Sequence, residues 1–132
     1  MPTLNLSPVF QKIDHMAESD LDRLPYGAIQ LDIRGNILKY NAGESRLSGL
    51  LRENVLGKNF FKQVAPCTDV QQFYGRFQEC VAAKKLNEEF RYHFAFKNNP
   101  RDVIVTLHYS ADTSTVWVLV HPLDKAPINR VT

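Results

Sequence analysis

The chain is poor in the residues that build metal and redox centres. Its 132 residues include two cysteines, Cys67 and Cys80, and one tryptophan. Two thiols this far apart make neither a zinc pattern nor a C-x-x-C pair, and no disulfide between them is expected in a reducing compartment. Four histidines, His15, His93, His108 and His121, fall in no H-x-x-x-H or H-E-x-x-H spacing, so no metal site is expected. No segment approaches the ~18 apolar residues of a membrane-spanning helix. The opening stretch "MPTLNLSPVFQKIDHM" lacks the basic start and continuous apolar core of a secretory signal. A cytoplasmic location is the expectation. Charge of one sign is missing too: 16 basic residues face 14 acidic ones, a formal net charge of +2. With no run of like charges, neither nucleic acid nor a membrane surface is expected as a partner.

What is present suffices for one domain with its own hydrophobic core: 44% of residues are hydrophobic and 11% aromatic. Residues 1–25, punctuated by Pro2, Pro8 and Pro25, read as a short helical lead-in packing on a larger domain. "AIQLDIRGNILKYN" gives two strands around an Arg34-Gly35-Asn36 turn. "AGESRLSGL" is too polar for a strand and reads as a short helix ended by Gly49. "NVLGKNFFKQVAPCTD" is loop-rich with short helical turns. "VQQFYGRFQECVAAKKL" is the strongest helix, with Phe73, Phe77, Cys80 and Val81 on a buried stripe and Lys84 and Lys85 at its C-terminal end. Cys80 is thereby a small core residue. In "EEFRYHFAFK", Phe90, Tyr92, Phe94 and Phe96 alternate with Arg91, His93 and Lys97, a strand with one buried face. "VIVTLHYS" is a further strand, and "VWVLV", apolar throughout, suits a central strand covered on both faces. The end, "HPLDKAPINRVT", reads as an extended tail. The order of elements predicts an α+β fold: a five-stranded antiparallel sheet with helices on one face, as in PAS-type sensor domains, preceded by the helical lead-in. The expected boundaries are 1–25 for the lead-in, 26–121 for the core and 122–132 for the tail.

Two features carry chemistry. Tyr40, Glu44 and Ser48 recur at intervals of four, so on a helix Glu44 and Ser48 share a face that Tyr40 enters from the strand before it. That set can hydrogen-bond one anionic ligand, or it can be a solvated helix face; spacing leaves both open. The second feature is "VAPCTD", in which Pro66 stiffens the backbone before Cys67. That thiol can be core filler, a nucleophile or a covalent anchor.

Three stretches, "YGAIQLDIRGNILKYNAGE", "LGKNFFKQVAPCTD" and "FYGRFQECVA", resemble the photoactive yellow protein family of bacterial blue-light receptors. The resemblance runs nearly without gaps from Tyr26 to Val120. It implies a 4-hydroxycinnamic (p-coumaric) acid chromophore, bound as a thioester to Cys67. It further implies that Tyr40 and a protonated Glu44 hydrogen-bond the phenolate, and that Ser48, in place of the family's threonine, orients Tyr40. Backbone N–H groups following the Cys67 turn are expected to donate to the thioester carbonyl. Phe60, Phe94 and Ile29 fall at apolar pocket or core positions, Ile29 as core, and Trp117 falls beside the lead-in. Isomerisation and loss of the Glu44 proton are expected to drive a reversible photocycle with partial unfolding, the lead-in being the segment released.

Three positions depart from the family pattern. Leu50 stands where an arginine is usual and cannot donate as a guanidinium does. Phe96 replaces a tyrosine and lacks its hydroxyl. Asn98 replaces a methionine whose soft sulfur assists thermal return, so slower dark recovery is expected. The chain is not expected to be an enzyme. With no output domain fused to it, the signal is expected to pass to a separate downstream protein or through weak self-association. Two other readings compete. A cysteine hydrolase or thiol redox sensor on Cys67 needs a base near the thiol, which only His93 or His108 could supply through the fold. A chromophore-free PAS interaction module needs none of Tyr40, Glu44 and Cys67.

Overall fold

A computed structural model describes residues 7–10, 12–84, 88–94 and 100–123. Phe96, Asn98 and Lys97 lie outside the described residues, as do Lys85 and the tail from 124 onward.

Five strands, β1 (Gly27–Leu31), β2 (Ile37–Tyr40), β3 (Glu88–Phe94), β4 (Arg101–Ser110) and β5 (Thr115–Pro122), form one antiparallel sheet in the order β2-β1-β5-β4-β3. The all-apolar strand β5 is central, as its composition predicts, and the family of five strands expected from the sequence is the one observed. The β1–β2 turn closes on Asp32. Its Oδ1 accepts the N–H groups of Arg34 and Asn36, each at 2.9 Å. Gly35 supplies the left-handed residue at φ +93°, a conformation other side chains resist.

Helices cover both faces rather than one. On the main face lie α3 (Ala42–Ser48), α4 (Arg52–Val55) and α5 (Arg76–Ala83). They enclose a core of Phe60, Phe61, Phe73, Phe77, Phe94 and the inward residues of all five strands. The lead-in, with α1 (Ser7–Phe10) and α2 (Glu18–Asp22), covers the opposite face, where Ile13 and Leu21 pack on Tyr26, Ala28, Trp117 and Leu119. A central strand with apolar residues on both sides requires that second layer. Trp117 is fully buried there and donates from Nε1 to Asp14 Oδ1 at 2.8 Å. Asp14 also accepts from Ser110.

The segment read as one long helix is shorter. Residues Gln71–Gly75 form a wide π-helical turn, and regular α-helix begins at Arg76. The wide turn seats Phe73 among Phe60, Phe61, Phe90, Tyr92 and Phe94, with ring centroids 5.1–5.9 Å away. Aromatic packing thus overrides ideal helix geometry. Lys84 ends α5 in the left-handed region at φ 53°. The loop-rich stretch before it contains a second wide turn, Phe60–Val64, capped by Asn59, and a 3-10 turn, Pro66–Thr68. Among the described residues no helix is long and apolar enough to cross a membrane.

Candidate functional site

The site begins where β2 ends. Asn41 is buried and works in four directions. Its Oδ1 accepts Glu44 N–H and Ala28 N–H, both at 2.9 Å, and its Nδ2 donates to Leu21 O at 2.7 Å and Tyr26 O at 3.0 Å. It is the N-cap of α3 and joins that helix to β1 and to the lead-in. Sequence reasoning passed over Asn41, although asparagine directly before a helical run is an N-cap signal.

The cap sets α3 against β1 at very short range. A Cβ at Gly43 would lie 2.4 Å from Tyr26 O, and one at Gly27 would lie 2.0 Å from Glu44 Oε1. Glycine at both places lets α3 approach closely enough to bury Glu44, which is 1% exposed. Both carboxyl oxygens of Glu44 lack a hydrogen-bond partner among the described residues. Burial disfavours the charged form and pushes the carboxyl up to about 8, so Glu44 carries a proton near neutral pH.

Tyr40 is also buried, and its hydroxyl meets Ser48 Oγ at 2.7 Å. Ser48 Oγ accepts Leu50 N–H at 3.1 Å. Burial raises the Tyr40 phenol well above its ordinary value and the nearby Glu44 carboxylate raises it further, while the Ser48 bond acts the other way. Tyr40 and Glu44 are therefore two buried, protonated O–H groups close enough to influence one another. The spacing by four left a solvated face open; burial of all three side chains removes that reading.

Cys67 is half-buried on the Pro66–Thr68 turn and packs against the same core as Tyr40, alongside Leu50 and Tyr92. Tyr92 donates from its hydroxyl to Cys67 O at 2.5 Å. Strand alternation had placed Tyr92 on the buried face without showing this contact. The turn is closed by Thr68 N–H and Thr68 Oγ1, both donating to Ala65 O at 2.8 and 2.6 Å, and by Asp69 N–H to Pro66 O at 3.0 Å. The N–H groups of Thr68 and Asp69 are thus used by the turn itself. Phe60 and Phe94 are buried beside the site, their ring centroids 6.5 Å apart, and Ile29 is core.

Neither histidine considered as a base faces the thiol. Alternation puts His93 on the side of β3 opposite Tyr92, where its Nδ1 pairs with Asp102 at 2.8 Å. His108 stacks on Phe10 of the lead-in at 4.0 Å, across the sheet from Cys67. Among the described residues no cluster of His, Cys, Asp and Glu is suited to a metal ion.

The family description of the PAS fold matches residues 11–122. The photoactive yellow protein of Rhodothalassium salexigens is 45% identical over 105 residues, 80% of this chain and 84% of that protein. The photoactive yellow protein of Halochromatium salexigens is 42% identical over 109 residues, 83% of this chain and 87% of that protein. The solved photoactive yellow protein domain of the sensor histidine kinase Ppr from Rhodospirillum centenum is similar with a TM-score of 0.81 at 40% identity, covering 85% of this chain and 98% of that one.

Proposed function

The chain belongs to the PAS-fold photoactive yellow protein family, and from that premise we propose that it is a blue-light receptor with 4-hydroxycinnamic acid joined as a thioester to Cys67. The observation that carries this reading is the buried Glu44 carboxyl, whose two oxygens have no partner among the described residues, beside a protonated Tyr40. A buried polar group without a partner is costly, and two neighbouring buried O–H donors suit an anionic oxygen. When bound, the group supplies a conjugated phenolate that absorbs visible light and a double bond that isomerises on excitation.

The chain's own residues then have defined tasks. Cys67 Sγ is the anchor. Tyr40 donates its O–H, and Ser48 holds that hydroxyl in place. Glu44 donates from its carboxyl and is the proton reservoir of the site. Phe60, Phe94 and Leu50 exclude water; Phe96 and Asn98 are assigned to the same pocket on family resemblance. Once Glu44 gives up its proton, a bare carboxylate is left buried. An uncompensated buried charge costs roughly 3–5 kcal/mol, a large share of the roughly 5–15 kcal/mol that holds a domain together. Glu44 sits on α3, whose cap residue Asn41 also holds Leu21 O, so the strain falls on the lead-in. Residues 1–25 are the segment we assign to release, 26–121 the light-sensing core and 122–132 the tail. The cycle returns to its start and consumes no substrate. The photoactive yellow protein domain that this fold resembles is part of a sensor histidine kinase; by analogy a downstream signalling protein is the partner assigned here, reached in the cytoplasm.

The test is reconstitution with p-coumaric anhydride. Cys67 sulfur attacks one acyl carbon, a C–S bond forms, the C–O bond breaks, coumarate leaves and the thiol proton passes to solvent. The expected product is yellow, bleaches in blue light and recovers in the dark. Cys67→Ala abolishes attachment. A thiol that titrates as accessible yet forms no coloured adduct refutes the reading.

A further inference from the structure

Arg52, the first residue of α4, joins three parts of the molecule. Its Nε donates to Tyr40 O at 2.8 Å, its Nη2 to Asp22 Oδ1 at 2.6 Å and its Nη1 to Glu18 Oε2 at 2.7 Å. Asp22 Oδ1 also accepts Ala42 N–H, the first helical donor of α3, at 2.8 Å. One carboxylate oxygen of the lead-in is thus shared between the guanidinium and the N-terminus of the helix that carries Glu44 and Ser48. Burial alone would raise the Asp22 carboxyl, but the bonds from Arg52 and Ala42 outweigh it, so Asp22 is an anion placed where the α3 dipole favours one.

We propose that Arg52 is the joint that couples the Tyr40–Glu44 site to the attachment of the lead-in, in both directions. A planar guanidinium can hold a carbonyl and two carboxylates at once, which a lysine ammonium on a flexible stem cannot do with the same geometry. Disordering the first turn of α3 removes a partner of Asp22 and loosens α2; detaching α2 takes the Asp22 acceptor from Ala42 N–H and both carboxylates from Arg52, so the guanidinium that holds the Tyr40 carbonyl loses its anchors. Coupling between two sites is reciprocal by linkage. Asn41 provides a second connection, but a neutral one. The Arg52 joint is ionic, with Glu18 well exposed and Asp22 partly so, so it weakens as salt is added.

The experiment is hydrogen exchange on the full chain in the dark, without chromophore, for wild type, Arg52→Gln and Glu18→Gln. Arg52→Gln is expected to speed exchange at the amides of Leu24, Ala42 and Ser45 about tenfold, and to leave Val118 and Leu119 in β5 unchanged. Glu18→Gln, which removes only the outer bridge, gives about twofold at Leu24. Raising salt from about 0.1 to about 1 M speeds Leu24 exchange in wild type and has little effect in Arg52→Gln. Unchanged exchange in Arg52→Gln overturns the proposal. So does faster exchange at Leu24 with Ala42 and Ser45 unaffected, or an equal increase that includes β5. A second arm rests on the function proposed above: in the chromophore-loaded protein, Arg52→Gln changes the dark-recovery rate about fivefold or more. An unchanged rate refutes coupling to the site, whereas failure to load refutes the chromophore reading and leaves the dark-exchange result standing.

Discussion

Replacing Glu44 with glutamine isolates the energetics of the buried carboxyl. Glutamine keeps the shape and cannot ionise. Glu44 titrates at about 8 in the folded chain against an ordinary value of 4.5. Below the ordinary value both states are protonated and ionisation costs nothing. Above it the unfolded chain releases its proton while the folded chain retains it, so stability falls by about 1.4 kcal/mol per pH unit. The loss is about 3 kcal/mol by pH 7 and about 5 kcal/mol near pH 8, where the folded carboxyl also ionises and the slope ends. The assay is urea unfolding of the chain without chromophore at several pH values between 5 and 8, followed by fluorescence of the sole tryptophan, Trp117. Glu44→Gln should lie within about 1 kcal/mol of its pH-independent offset from wild type near pH 5 and become progressively more stable above it, the gap growing by about 1.4 kcal/mol per pH unit. A gap that stays constant with pH refutes the claim that burial holds the proton on Glu44, and with it the proton reservoir of the site.

Other outcomes follow from the same contacts. His121 packs in a tilted arrangement against Tyr26 with ring centroids 4.1 Å apart, and burial lowers its imidazole from 6.5 to about 4. Stability should therefore fall as pH drops from 6.5 toward 4, and His121→Phe should flatten that acid limb by about 2 kcal/mol, discounted for an imidazole only part-buried. Gly43→Ala should cost about 1–3 kcal/mol in urea unfolding, because its Cβ would meet the immobile backbone oxygen of Tyr26 at 2.4 Å. Gly27→Ala meets the end of a side chain instead; it should displace the Glu44 carboxyl and shift the absorption maximum of the loaded protein. Ser48→Ala should cost about 1–3 kcal/mol, since it removes the partner of both Tyr40 Oη and Leu50 N–H.

The elements whose order depends on neighbours in the chain were legible from sequence. The alternation of Phe90, Tyr92 and Phe94 with Arg91 and His93 placed β3 and its buried face, because strand side chains alternate whatever surrounds them. The apolar run at Trp117 marked β5 as central. Gly35 marked the first turn and Gly49 the end of α3, both found at positive φ. Tyr40, Glu44, Ser48 and Cys67 could be singled out by residue type, spacing and family resemblance.

What only the tertiary structure decided depends on residues distant in sequence. Whether Glu44 is solvated or buried with its proton follows from its close approach to Gly27, which no local pattern reveals. The wide turn at Gln71–Gly75 and the use of the Thr68 and Asp69 N–H groups by their own turn follow from packing and local hydrogen bonding. Asn41 and Arg52 show the limit most clearly: each becomes a junction only when partners distant in sequence fold around it, as Asp22 and Glu18, thirty and more positions away, do for Arg52. Sequence thus determined which groups were available and on which faces they stand. Their protonation and mutual coupling were set by long-range burial and charge, because desolvation and hydrogen bonding act through space and not along the chain.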